Sequence, residues 1–179
     1  MKRNTAYLGL GSNLGDRAAN LLRAVTALCG AGLRIRAMSA IYETEPVDYL
    51  DQPSFLNMAI AVGASEVERI EPFSLLKLCL EVETRLGRER SLPKGARTID
   101  IDLLLLDGLV IDGVSDGIAL TLPHPRLHLR RFALTPLAEI APELRHPIFG
   151  KTIEQLLDDL DDSSSALIYG ALQSPCAGI

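Results

Sequence analysis

Residues 6–17 read AYLGLGSNLGDR, and the meaning of their glycines decides between two fold classes. A dinucleotide fold needs G-x-G-x-x-G after a strand, with an acidic residue about 20 positions further on where a second parallel strand ends. Gly9 and Gly11 begin such a motif, but Leu14 stands where the third glycine belongs and Gly15 comes one place late. No acid falls between Cys29 and Leu33, and Glu43 comes too late to serve. The stretch therefore reads as a strand and a tight strand-to-helix turn, whose glycines permit unusual dihedrals and leave the backbone bare.

Working outward, TAYLGL alternates as a strand, and Ala18, Leu21, Leu22, Val25 and Leu28 recur at helical spacing up to Gly30. LRIRAMSAIYETEP sets Leu33, Ile35 and Ala37 against Arg34, Arg36 and Met38, which predicts one strand ending near Pro46. FLNMAIAV, from Phe55, is a third strand with no helix before it. EPFSLLKLCLEVETRLG places Pro72 near a helix start and Gly87 at its stop, with Leu75, Leu76, Cys79, Val82 and Leu86 along one face. TIDIDLLLLDG, residues 98–108, is the strongest strand in the chain. Strand, helix, strand, strand, helix, strand is the split βαβ order, which lacks the repeated crossovers of a doubly wound sheet. LVIDG then suggests a hairpin, LTLPHPRLHLRRF a short strand with a basic loop, and ALTPLAEIAPEL and TIEQLLDDL two helices. Residues 1–160 form one domain on this reading, and residues 161–179 have the composition of a flexible tail.

The bulk properties fit a globular chain of 179 residues with 47% hydrophobic and 23% charged residues, which needs no staple. Cys29, Cys79 and Cys176 are odd in number and lack metal-ligand spacing, so they predict buried thiols in a reducing, cytoplasmic compartment. The N-terminal apolar run is broken by Gly9, Gly11 and Ser12, which argues against a signal peptide, and no segment approaches a membrane-spanning length. A net charge of −5 disfavours a broad nucleic-acid surface and makes any local basic cluster meaningful. A monomer with neither membrane nor nucleic-acid partner is the expectation.

Such a cluster flanks the most unusual feature of the chain. Aspartate is depleted in strands, yet TIDIDLLLLDG carries Asp100 and Asp102 among isoleucines and leucines. Strand side chains alternate, so the two aspartates share one face, with Cα atoms about 6–7 Å apart, opposite Ile99, Ile101 and Leu103. Two like charges on a strand apolar enough to be central need compensation. Arg88, Arg90, Lys94 and Arg97 lie just upstream and supply one answer, direct ion pairing. Mg²⁺ is another, since it is commonly held by one or two carboxylates together with substrate phosphates, which would leave the arginines for phosphate oxygens. A solvated sheet face is the third. A second basic group, LPHPRLHLRR, adds His124, Arg126, His128, Arg130 and Arg131.

LGLGSNLGD, IYETEPVDYLDQPSFLNMAIAV, LGRER, GARTIDIDLLLLDG, LPHPRLHLRRF and PLAEIAPEL, in that order between Ala6 and Leu160, resemble 6-hydroxymethyl-7,8-dihydropterin pyrophosphokinases of folate biosynthesis. The resemblance implies a ferredoxin-like α+β sandwich with an added C-terminal hairpin and helices. It implies transfer of the β,γ-diphosphate of ATP to the pterin hydroxymethyl oxygen, leaving AMP. Asp100 and Asp102 match the ligands of two Mg²⁺ ions. Arg88, Arg90, Arg97, His124 and Arg130 match positions that handle ATP phosphates, Leu103 and Thr121 the adenine wall, and Glu83 an acidic position facing the nucleotide. Thr44, Pro46, Val47, Phe55, Asn57 and Phe132 match the pterin pocket, which the GLGSN stretch borders. Pro93, Lys94 and Ala96 depart from the pattern: relatives often carry an aromatic lid residue near Lys94, this chain has no Trp, and its loop from Arg88 to Arg97 is shorter. Another Mg²⁺-dependent nucleotidyl or phosphoryl transferase, or a non-catalytic ferredoxin-like module, are the alternatives that the same strand pattern allows.

Overall fold

A computed structural model of the protein describes residues 4–46, 51–64, 69–87, 95–173 and 175. The alternating side chains of Ala6–Leu10 form β1 (Ala6–Ser12), and the chain then turns at Gly15, where φ is 62°. Asp16 caps α1 (Arg17–Gly30), its carboxylate accepting the Ala19 amide at 3.0 Å, so one of the orphan donors of the first turn is satisfied. LRIRAMSAIYETEP is two strands rather than the single one expected: β2 (Arg34–Met38) and β3 (Ile41–Thr44). The cause of the break is Glu139, whose carboxylate takes the Ala40 amide at 2.9 Å out of the ladder and also accepts the Tyr42 hydroxyl at 2.9 Å.

β4 (Phe55–Gly63) follows, then α2 (Pro72–Arg85), which starts as its sequence predicts. Pro72 occupies the first turn, where no amide is missed, and the Glu71 carboxylate accepts from Phe73 and Ser74. Gly87, at a φ of 79°, ends it in the left-handed conformation that glycine reaches without strain. β5 (Asp100–Leu106) leads into the hairpin of β6 (Ile111–Ser115) and β7 (Ile118–Leu122). Asp116 and Gly117, both at positive φ, make its tight turn. A short 3-10 turn at Leu127–Leu129 precedes α3 (Arg131–Ile140) and α4 (Ile153–Asp158).

The main sheet is antiparallel in the order β5-β1-β4-β3 followed by a last strand, Ala166–Gly170 (β8), with β2 also pairing β4. This is the expected α+β, ferredoxin-like arrangement with one extra strand. That strand, β8 (Ala166–Gly170), corrects the expectation of a structureless tail: Ala166 to Gly170 pair with β3. Ile168 and Tyr169 are strand-favouring residues, but the polar and small residues around them hide a short run whose partner is more than a hundred residues away.

Both sheet faces are covered, by different helices. Leu8, Leu10, Met58, Ile60, Ile101 and Leu103 pack with the buried faces of α1 and α2, while Ala59, Leu104 and Leu105 pack with Leu134 and Leu137 of α3. β5 is terminal in the sheet rather than central, and its outer edge is protected in another way. The buried Glu83 carboxylate accepts the Ile101 amide at 2.7 Å, and the Leu104 carbonyl accepts the His124 amide at 2.8 Å.

Cys79 is a buried free thiol, pushed up to about 12 chiefly by that burial. Cys29, only partly buried near the end of α1, is disulfide-bonded, which corrects the expectation of a thiol there; Cys176 lies outside the described residues. No helix among the described residues is long and apolar enough to cross a membrane.

Thr152 and Gln155 form a reciprocal capping box at the start of α4, with bonds of 3.1 and 2.9 Å. Thr152→Ala is expected to cost about 1 kcal/mol. A thermal melt should show a midpoint lower by about 2–4 °C.

Candidate active site

β1 is the centre of the site because its two glycines face the same way. Pairing sets Gly9 opposite Asp102 on one side and Ala59 on the other; Gly11 lies between Asp100 and Asn57. Neither glycine has a positive φ, so both sit in regular strand, and of the glycines in this stretch it is Gly15, at a φ of 62°, that makes the turn into α1. Their use is close approach instead. A Cβ on Gly11 would lie 2.7 Å from Asn57 Oδ1, and one on Gly9 would press against Leu104 at 3.3 Å. The result is a bare trough with carboxylates on one flank and an amide on the other.

That trough opens into a cavity of about 330 Å³, lined also by Arg126, Leu129, Arg130, Phe132 and Ala133. Asp100, Asp102 and Arg97 line its β5 flank; Thr44, Phe55 and Asn57 line the other. Asn57 Nδ2 donates to Thr44 Oγ1 at 2.7 Å, which fixes the direction of the amide and leaves Oδ1 aimed at Gly11. The aspartates share a face, as strand alternation requires, and each carries a guanidinium partner. Arg97 Nη1 is 2.7 Å from Asp100 Oδ2, and Arg130 Nη1 is 3.1 Å from Asp102 Oδ2. The same two arginines lie over aromatic rings, Arg97 at 5.7 Å from the centroid of Phe55 and Arg130 at 5.4 Å from that of Phe132.

His124 stands beside this group. Its Nε2 is 3.3 Å from Arg130 Nη1, and its Nδ1 accepts the Arg126 amide at 3.1 Å. Burial first, then the charges of Arg130 and Arg126, push its pKa from the ordinary 6.5 down to about 4. The ring is therefore neutral at neutral pH, and its tautomer decides which of the two donors it accepts.

Asn13, the residue after β1, uses both polar atoms of its side chain and its backbone amide. Its Oδ1 accepts the Arg97 amide at 2.7 Å, its own amide donates to the Arg97 carbonyl at 3.1 Å, and its Nδ2 donates to Gln52 Oε1 and the Pro53 carbonyl, both at 3.1 Å. It is buried, at 3% exposure or less, as such a fully satisfied amide can be.

Three expected site residues lie elsewhere. Leu103 points into the core beneath α1 and α2, because it occupies the strand face opposite the aspartates. Thr121 is exposed on β7 and bonds Asp112. Glu83 is buried against the outer edge of β5, where the Ile101 amide holds it, and does not line the cavity. Pro46 follows Glu45, which does line it. Val47, Arg88, Arg90 and Lys94 fall outside the described residues. The sequence reading set the GLGSN stretch, residues 9–13, beside the pocket, and the structure places Gly9 and Gly11 in its lining; it left Arg126 and Gln52 without a role.

Gly11→Ala forces the Asn57 amide out of its bond to Thr44, and destabilisation by about 1–3 kcal/mol is expected in denaturant unfolding. The histidine gives a pH effect with a definite sign. An unfolded chain binds a proton at His124 below about pH 6.5 that the folded chain refuses until about 4, so stability is retained above 6.5 and lost as pH falls between these values. His124→Gln should flatten that part of the stability profile in melts run from pH 7.5 to 4.

Three comparisons converge with this geometry. The family model for 7,8-dihydro-6-hydroxymethylpterin-pyrophosphokinase (HPPK) matches residues 7–142. The chain is 46% identical over 159 residues to the 2-amino-4-hydroxy-6-hydroxymethyldihydropteridine pyrophosphokinase of Methylorubrum extorquens, covering 88% of this chain and 94% of that one. It is 39% identical over 161 residues to the folic acid synthesis protein of Schizosaccharomyces pombe, covering 89% of this chain but only 21% of that protein. A crystal structure of Plasmodium falciparum HPPK-DHPS shares the fold, with a TM-score of 0.66 at 18% identity over 88% of this chain and 45% of that chain. With the matched region running from β1 through α3 and so enclosing every cavity-lining residue named above, the chain belongs to the 7,8-dihydro-6-hydroxymethylpterin-pyrophosphokinase family.

Proposed function

We propose that this chain transfers the β,γ-diphosphate of ATP to the hydroxymethyl oxygen of 6-hydroxymethyl-7,8-dihydropterin, releasing AMP. The observation that carries the reading is the placement of Asp100 and Asp102 side by side on one wall of a cavity whose other wall holds Asn57, Thr44 and Phe55. One wall suits a polyphosphate and its cations; the other suits a flat heterocycle with a polar edge.

The donor set on the β5 flank fits Mg²⁺. Asp100 and Asp102 offer hard oxygens, and no group of three or more His, Cys, Asp or Glu gathers among the described residues. Mg²⁺ binds in such places through one or two carboxylates, completing its shell with phosphate oxygens and water. Two ions held by Asp100 and Asp102 would supply charge neutralisation at the polyphosphate when bound. Arg97, Arg130 and neutral His124 then face phosphate oxygens, where the planar guanidinium forks pair bidentately.

On the opposite flank Phe55 and Phe132 hold the pterin ring between apolar faces, while Asn57, oriented by Thr44, reads its polar edge with one donor and one acceptor. The glycine trough lets the hydroxymethyl group lie against the backbone between the two halves. In the transfer, the pterin oxygen bonds to the β-phosphorus as the bond from that phosphorus to the α,β-bridging oxygen breaks; AMP leaves with the bridging oxygen, and the hydroxyl proton passes to solvent. The protein contributes position and charge stabilisation rather than a covalent intermediate.

Incubation with Mg-ATP and the reduced hydroxymethyl pterin should yield AMP and the pterin diphosphate, resolved by anion-exchange chromatography. ADP or inorganic pyrophosphate in place of AMP would overturn the reading. Asp100→Ala and Asp102→Ala should each lower turnover by about 10²-fold or more with the fold retained.

A further inference from the structure

Each carboxylate proposed to hold metal is already paired, through its Oδ2, with an internal cation. Asp100 Oδ2 accepts Arg97 at 2.7 Å and Asp102 Oδ2 accepts Arg130 at 3.1 Å, and the four side chains are only 14–33% exposed. At these burials the pairs are not the freely solvated kind that contributes almost nothing. A dication that takes either oxygen must displace the N–H that now occupies it, and it then has a guanidinium as its neighbour. Without an incoming anion, that guanidinium loses its carboxylate and gains a repulsive partner.

Each arginine is also kept in place by a second contact. Arg97 lies over Phe55 and Arg130 over Phe132, so a guanidinium that gives up its aspartate stays within the cavity. A polyphosphate arriving with the metal offers it a new acceptor. The charge count of these four side chains supports the same sequence of events: two carboxylates and two guanidiniums balance, metal alone unbalances them, and two dications accompanied by a polyphosphate carrying four negative charges restore the balance.

We infer that Arg97 and Arg130 act as resident counter-ions that compete with divalent metal for Asp100 and Asp102 and exchange to phosphate when nucleotide binds, so that metal alone binds weakly and metal with nucleotide binds tightly. The inference rests on the metal reading of Asp100 and Asp102 given above. Linkage makes the coupling reciprocal: whatever nucleotide adds to metal affinity, metal adds to nucleotide affinity. It assigns the two arginines opposite effects in the two states, which a plain phosphate-binding role does not.

The test is a Mn²⁺ titration followed by electron paramagnetic resonance of the free ion, on wild type and variants, with and without the non-cleavable analogue α,β-methylene-ATP. Arg97→Met and Arg130→Met are expected to bind Mn²⁺ alone about tenfold more tightly than wild type, and the analogue about tenfold more weakly. Arg97→Lys and Arg130→Lys keep a cation and should keep the weak affinity for Mn²⁺ alone. A thermal melt checks folding, and Gln replaces Met at any position where the Met variant fails it. Unchanged or weaker Mn²⁺ binding by the neutral variants, while Asp100→Asn and Asp102→Asn still abolish Mn²⁺ uptake with the analogue present, overturns the exchange and leaves the metal site standing. Undiminished uptake in both asparagine variants overturns the metal site itself.

Discussion

Everything at the site depends on the register of β1 against its two neighbours. Gly11 sits between Asp100 and Asn57, and Gly9 between Asp102 and Ala59, so one sheet face presents carboxylates, bare backbone and an amide in adjacent columns. A slip of β1 by one residue would turn Gly9 and Gly11 toward α1 and α2 and thrust Leu8 and Leu10 between the aspartates and Asn57. The core itself prevents that slip. Leu8 and Leu10 alternate with the glycines and are fully buried on the opposite face, so the apolar side of β1 enforces the placement of its polar neighbours.

The same division of labour explains how a strand can carry two acids in close succession. Ile101 and Leu103 anchor β5 to the helices, while Glu83 reaches across to take the Ile101 amide at the unpaired edge. A buried carboxylate bonded to a backbone amide keeps the outermost strand from fraying where the chemistry needs it rigid. Glu83 thus supports the aspartates through the backbone rather than by facing a ligand.

Much of this was legible before any coordinates. The change from period two to helical period along residues 6–30, the proline and glycine that bracket residues 72–87, and the acids in an aliphatic strand each follow from local chemistry, and together they indicated the fold class and the carboxylate pair. What was not legible depended on distant partners. The split between β2 and β3 is made by Glu139, about a hundred residues away, and β8 is a strand only because β3 offers it an edge. Gly9 and Gly11 look like turn residues in isolation; their strand role appears once Asn57 and Leu104 occupy the space that side chains would fill. Leu103 and Glu83 were carried over by resemblance, and for Leu103 the count of strand faces, which sets it opposite the aspartates, already pointed to the core.

Asn13 joins the two rims of the cavity, bonding Arg97 on one side and Gln52 and Pro53 on the other. Because this single side chain determines where both segments rejoin the scaffold, the stretches between Thr44 and Gln52 and between Gly87 and Arg97 are relieved of that duty. Insertions and deletions within them alter reach and coverage without moving the anchored ends. Arg97, Gln52 and Pro53 are thus tethered to the end of β1, whichever residues fill the lengths of chain that lead to them.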